Sequence, residues 1–341
     1  MTPAAVVGAG HPRSSRIAVV SDQRVSLYDA PVVAHVVRSG FVESVHHGSV
    51  VALDAQGSIV MAVGDVAGPI FPRSSSKPIQ ALAMLRAGLD LDGELLALGA
   101  GSHSGEWFHL EGVRRILAGA GLSELDLQNT ADLPYEQQER TAWIAAGRGP
   151  TCLAQNCSGK HAAMLATCVA AGWDTATYLE PKHPLQLLIA QTLIDMSGEP
   201  AAGSGVDGCG APVLAVSLTG LARAFSRLAT AAGGSDEARV AAAMRAYPQW
   251  LGGTRRDVTA LIRGVPGLIA KDGAESVYAV GLADGRGVAL KIADGAQRAR
   301  PVLIAAVLRR LGIEAEVLDE LAYAPVLGHG EQVGSIEVIG I

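Results

Sequence analysis

From Ser49 the chain reads SVVALDA, then Gln56-Gly57, then SIVMAVGD. Two β-branched runs of strand length around a glycine turn predict an antiparallel hairpin over about 42–64. After Pro78 the period changes. IQALAMLRAG sets apolar residues three and four apart and stops at glycine, which predicts a helix. Proline is tolerated only in the first helical turn, so Pro78 puts the helix start within a residue or two of Ser74–Ser76. From about 79 to 260 the stretches HAAMLATCVAAG, PLQLLIAQTLIDMSG and APVLAVSLTGLARAFSRLATAAGG, broken by Gly and Pro, read as mainly helical. ESVYAVGLADGRGVALKIADG then alternates apolar and polar positions around an Asp-Gly turn, predicting a second hairpin. PVLIAAVLRRLG reads as a Pro-started, Gly-stopped helix, and this hairpin and helix are expected to close the chain. Residues 1–25 carry weak periodicity and are expected to form a loosely attached arm.

Strands near both ends around a helical interior predict an α+β fold of the broad α/β type, with a mixed or antiparallel sheet built from both ends of the chain. The sheet parts fall at about 40–70 and 265–341 and the helical lobe at about 74–260, within one catalytic domain over 26–341. A cleft between sheet and lobe is the natural site. No repeat of fixed period is present.

Composition narrows the partners. The 341 residues are 49% hydrophobic and 18% charged, with mean hydropathy +0.28, which excludes an intrinsically disordered chain. Lys and Arg number 27 against 33 Asp and Glu, a net charge of −6. That balance offers no footprint for nucleic acid or anionic lipid. No apolar run approaches the roughly 20 residues of a spanning helix, and no secretory signal is visible, so a cytoplasmic protein is expected. Low charge and high apolar content suggest a homodimer. Four cysteines in so long a chain are too few for a disulfide scaffold and are expected to be thiols or metal ligands. The Asn156-Cys157-Ser158 sequon is discarded on the same grounds of compartment.

The strongest chemical signal is FPRSSSKP, where strand gives way to helix. Ser74 and Lys77 stand one turn apart, and a lysine of lowered pKa can take a hydroxyl proton there. Ser-x-x-Lys is the serine motif of class A β-lactamases and penicillin-binding proteins. The plainer reading is that the serines cap the helix and Lys77 is solvated. Lys271-Asp272-Gly273 occupies the position of the Lys-[ST]-Gly triplet of those enzymes, with Asp272 departing from it. The small-residue loop Gly101–Glu106 presents Ser102, His103 and Ser104; a polar turn between helices is its plain alternative. Cys157 and Cys209 are both expected to begin apolar helices, where a thiolate is favoured. Two thiolates with Lys160 or His161 would suit zinc, against the commoner fate of cysteine as a small buried residue. Cys152 and Cys168 take that plain reading outright. Adjacent strand positions set His46 and His47 on opposite faces, so they do not share a ligand.

Taken in order, FPRSSSKPIQ, GSHSGEWFH, NCSGKHAAM, GVDGCGAP and IAKDGAESV resemble the motif series of the asparaginase II family, the thermolabile rhizobial type, over roughly residues 40–330. The resemblance implies a fold similar to serine β-lactamases and β-lactamase-like glutaminases, and hydrolysis of L-asparagine to L-aspartate and ammonia. It implies Ser74 as nucleophile with Lys77 as base, and Ser102 with Lys271 as a second pair. It further implies a zinc held by Cys157, Lys160 and Cys209, and a substrate site lined by Arg73, His161 and Asp207. About 25 residues at the start look extra. Two lysines converging on one serine would disfavour each other's charge, so that one can act as a neutral base. The competing readings are the same chemistry on glutamine or a β-lactam-like ring, a zinc-dependent amidohydrolase in which Ser74 only binds, and a non-enzymatic amino-acid or metal binding protein.

Overall fold

The computed structural model describes residues 29–341, so the arm expected over 1–25 lies outside the described residues. The strands are β1 (Val32–Arg38), β2 (Phe41–Leu53), β3 (Ile59–Val63), β4 (Pro69–Ile70), β5 (Gly203–Val206), β6 (Pro212–Ser217), β7 (Ile269–Gly273), β8 (Val277–Gly281), β9 (Gly287–Ile292), β10 (Pro325–Gly328) and β11 (Glu331–Val338). The larger sheet runs β10-β11-β1-β2-β9-β8-β7, with β3 paired to β2. Every strand pair among the described residues is antiparallel. The sheet is therefore assembled from both ends of the chain, with the helical segment between, and the fold is α+β as expected.

Both expected hairpins form. β2 meets β3 from Val50↔Val63 to Leu53↔Ile59, and β8 meets β9 from Val277↔Lys291 to Gly281↔Gly287. Every position of β7, β8 and β9 is buried, because helices Leu218–Ala229 and Arg300–Arg310 both pack on this part of the sheet.

Three expectations need correction. The sheet begins before the expected start near 40, since β1 pairs with both β2 and β11; its VVAHVVR sequence lacks the alternation that marks a one-sided strand. The β8–β9 hairpin and Arg300–Arg310 helix do not close the chain, because β10 and β11 follow and return to β1. The interior is not wholly helical: β4, β6 and β5 form a small second sheet. APVLAVSLTGLARAFSRLATAAGG is thus split into β6 and helix Leu218–Ala229. The break is at Ser217, whose hydroxyl accepts the Gly220 N–H at 2.9 Å as an N-cap.

Helix Lys77–Arg86 is the helix that carries the site. Every residue from Lys77 to Leu85 is buried, because helices Ser158–Ala171, Pro184–Ser197 and Asp236–Ala246 surround it. A helix enclosed on all sides reads as apolar all round, and here it brings a lysine inside with it. No helix among the described residues is long and apolar enough to cross a membrane.

Candidate active site

Beyond β4 the chain makes a 3-10 turn, Arg73–Ser76, that runs directly into helix Lys77–Arg86. Arg73 sits at φ 52°, and facing it Glu275 and Ser276 sit at φ 55°. Left-handed conformations of this kind cost on the order of 1–3 kcal/mol each and persist where surrounding structure enforces them. What enforces them is the close approach of β7. A Cβ at Gly273 would stand 2.7 Å from the Pro72 carbonyl oxygen and 3.1 Å from the Ser75 nitrogen, so glycine alone allows the contact.

Beside this seam lies a cavity of about 60 Å³, lined by Ser74, Ser102, Tyr135, Asn156, Arg256, Asp272, Gly273, Ala274 and Gln297. Ser102 reaches it because its loop hangs from Leu251. The Ser102 N–H donates to the Leu251 carbonyl at 2.8 Å, and a Cβ at Gly101 would lie 2.5 Å from that same oxygen. Ser74 and Ser102, far apart in the chain, thus face one space. His103 does not join them. It is buried, bonded through Nε2 to Ser158 Oγ at 2.7 Å, and held neutral chiefly by burial.

The amines are arranged differently from the expected pairs. Lys77 is fully buried, and its Nζ donates to the Gly101 carbonyl at 2.7 Å, Ser102 Oγ at 2.9 Å and Cys157 Sγ at 3.1 Å. These three bonds use all the donors of an ammonium, so Lys77 is bonded to Ser102 and not to Ser74. Lys271 Nζ donates to Asp272 Oδ1 at 2.7 Å and to the Asp272 carbonyl at 2.6 Å, and not to Ser102.

Asp272 is the electrostatic centre of the floor. Its Oδ2 accepts from Arg256, with Arg300 Nη1 at 3.6 Å, while Oδ1 takes Lys271. Burial would raise this carboxyl, but the Arg256, Lys271 and Arg300 charges hold it well below the usual range. Burial draws the Lys271 amine down to about 8; Asp272 resists that fall and the Lys77 charge adds to it. Arg300 is anchored in turn on Asp257 at 2.9 Å, and Arg256 lies 4.5 Å above the Tyr135 ring, whose hydroxyl donates to Gln297 Oε1 at 3.1 Å. Arg256, Arg300, Tyr135 and Gln297 escaped the sequence reading, since an arginine in TRRD or a lone tyrosine carries no local mark of burial. Asn156 could have been found, because it opens the NCSGKH motif.

The remaining candidates gather behind this cavity. Arg73 Nε binds Asp207 Oδ1 at 2.8 Å, with the two side chains 24% and 14% exposed, so a cation and an anion stand together beside Ser74. Cys157 is the N-cap of helix Ser158–Ala171. Cys209, expected to begin a helix, instead lies in the turn between β5 and β6, because Pro212–Ser217 is strand. The two thiols pack together, and their interaction raises Cys157 while holding Cys209 well below an ordinary thiol. Lys160 Nζ donates to Cys209 Sγ at 3.1 Å. Burial pulls the Lys160 amine down, and the Cys209 and Cys157 sulfurs more than offset this and leave it raised. His161 is not among the residues lining the cavity and belongs with the thiols. Its Nδ1 meets Tyr178 Oη at 2.8 Å, its buried Nε2 has no partner, and burial and Lys160 draw it to about 4.

Two thiols and the Lys160 amine form an N/S donor set of the kind that suits zinc, without the His161 imidazole among them. No three His, Cys, Asp or Glu side chains among the described residues are placed to hold a metal, so zinc here would need the Lys160 amine as third donor. Cys168 is buried and Cys152 half-buried, without a role in this cluster.

Over residues 34–338 the chain matches the family model described as L-asparaginase II. No match is found among curated proteins. Among solved structures it is similar to a β-lactamase from Mycobacterium bovis, at 12% identity and TM-score 0.42, covering 78% of this chain and 95% of that one. It is also similar to a Bacillus glutaminase, at 13% identity and TM-score 0.38, covering 78% and 91%. A third, EstCE1, a hydrolase with promiscuous acyltransferase activity, shares 13% identity at TM-score 0.38, covering 82% and 94%.

Proposed function

The chain belongs to the L-asparaginase II family, and on the premise that it is an amidohydrolase we propose that it hydrolyses L-asparagine to L-aspartate and ammonia through a serine acyl-enzyme. The observation that carries this reading is a single cavity faced by two hydroxyls, with the Lys77 amine 2.9 Å from one of them and Lys271 held on Asp272 in the floor. Ser74, whose hydroxyl is not engaged by either lysine, attacks the carbon of the side-chain carboxamide. Its proton passes to Ser102 as Ser102 gives its own to Lys77, acting as the general base, and loss of the Lys271 proton near pH 8 lessens the positive charge facing that step. N–H groups at the start of the helix are the candidate donors to the tetrahedral oxyanion. The proton returns to the leaving ammonia, and water then frees aspartate.

Asparagine brings a carboxylate and an ammonium. Arg73 and Asp207, now paired with each other, are the cationic and anionic groups that take them. Zinc held by Cys157, Lys160 and Cys209 would supply a fixed positive centre that positions or polarises groups behind the cavity.

The short Lys77–Ser102 contact favours a second reading in which Ser102 is the nucleophile. Acid quenching during turnover of asparagine, followed by peptide mass spectrometry, separates the two. The expected adduct is an aspartyl ester on the Ser74 peptide, with Ser74→Ala losing at least about 1,000-fold in kcat. An ester on Ser102 would move the nucleophile there. Unimpaired turnover in both alanine variants would remove the serine mechanism and favour a metal-centred one. Faster ammonia release from glutamine than from asparagine would overturn the substrate.

A further inference from the structure

A second and larger cavity, about 460 Å³, opens where the small sheet faces the large one. Its walls are mainly apolar: Pro69 and Ile70 of β4, Phe71, Ala202, Ala215 of β6, and Ala293 after β9. The volume lies within the range of small-molecule sites, which pair an apolar lining with a few placed polar groups. Here the polar groups are Arg73, Glu275 and Lys291. Two backbone steps separate this space from the catalytic cavity: Ser74 and Ala274 line that one, Arg73 and Glu275 this one.

Lys291 is the residue that points to a ligand. It is only 8% exposed, and its Nζ donates to the carbonyls of Glu275 at 2.7 Å and Ile292 at 3.1 Å. An ammonium has three donors, so one is left over. No carboxylate among the described residues pairs with it. A buried cation without a paired carboxylate is costly, since the Glu275 and Asp294 charges act on it only from beyond salt-bridge range, and an arriving anion relieves that cost. The Glu275 carboxylate leans toward Gly295, where its Oε2 fills the space a side chain would need.

We propose that this cavity binds a small organic acid with an apolar body and a single carboxylate. The carboxylate lies against Lys291, and the body lies along Phe71, Ala202 and Ala215. The site is separate from the asparagine cavity, so its test reads binding rather than turnover.

Octanoate is the probe, with octylamine and octanol as controls of equal length, followed by calorimetry and saturation-transfer NMR on the full chain. Octanoate is expected to bind the wild-type protein, and the two controls at least about 10-fold more weakly. Lys291→Met should weaken octanoate by about 10-fold or more, as loss of a charged hydrogen bond does. Ala215→Phe, which fills the space and keeps the charge, should abolish binding. Should Lys291→Met fail to fold, the Ala215→Phe variant and the three-probe comparison decide. Absence of octanoate binding, equal binding of octylamine, or undiminished binding by Ala215→Phe would overturn the site.

Discussion

Lys271 illustrates how a side chain can be placed so that its protonation state becomes useful. Its folded pKa of about 8 lies below the 10.5 of an ordinary lysine. Between those values the unfolded chain holds a proton that the folded chain has released, so stability rises with pH across the window. Below 8 the full penalty of burying the charge applies. The stability of the wild type relative to Lys271→Met should therefore increase by about 3 kcal/mol between pH 7 and 10.5, read from urea midpoints. The same proton should appear in catalysis. The acid limb of kcat/KM is expected near pH 8, and Asp272→Asn should move it lower, because the carboxylate is what supports the charged amine. A flat profile from pH 6 to 9 would exclude Lys271 from the reaction. Arg73, standing on Asp207, is proposed to bind substrate instead. Arg73→Ala should raise KM for asparagine by about 10–100-fold, the worth of one charge-assisted contact, with a smaller change in kcat.

At the scale of elements, the active geometry depends on how closely β7 is pressed to the Arg73–Ser76 turn. Gly273 has no room for a methyl group, since the Pro72 carbonyl and the Ser75 nitrogen already occupy its surroundings. Gly273→Ala should push the turn and strand apart, costing about 1–3 kcal/mol in a thermal or urea melt. It should also lower kcat by at least about 10-fold, because a displacement of that size misaligns reacting groups. Normal activity would mean that the turn holds its place without β7. The seam also explains what could be read from the linear chain. Pro78 announced the helix start, and helix Lys77–Arg86 begins there. The direction of the Lys77 amine was not legible, because it is set by Gly101, Ser102 and Cys157, which arrive from two other segments. β6 was hidden for a related reason. PVLAVS is apolar at nearly every position and runs into a helix of similar composition, so periodicity could not mark the boundary.

Across the whole molecule, the site is a meeting of distant parts: the turn after β4, the Gly101–Ser102 loop, the Cys157 helix start, the β5–β6 turn, Arg256 and β7. Two consequences follow for measurement. Removing Asp272 strands the buried Arg256 and Lys271, while Arg300 keeps Asp257, so Asp272→Ala should cost about 3–5 kcal/mol. A double-mutant cycle with Arg256→Ala should show coupling well above the scatter of independent sites. Cys157→Ala and Cys209→Ala should each lower bound zinc by at least about 10-fold, measured by metal analysis after dialysis. Metal content unaffected by either would mean the thiols are not co-ligands. The motifs FPRSSSKP, NCSGKH, VDGCG and KDG declared by residue type which segments carry hydroxyls, amines and thiols, and the alternation of the flanking runs declared a sheet drawn from both ends of the chain. Those properties are local, written in spacing and side-chain chemistry. The partner of each amine, the neutrality of buried histidines, the shared cavity of Ser74 and Ser102, and the lack of a salt bridge to Lys291 were decided only by tertiary structure. Hydrogen-bond reach and the loss of water depend on what surrounds a group in three dimensions, and that is set in large part by residues tens to more than a hundred positions away.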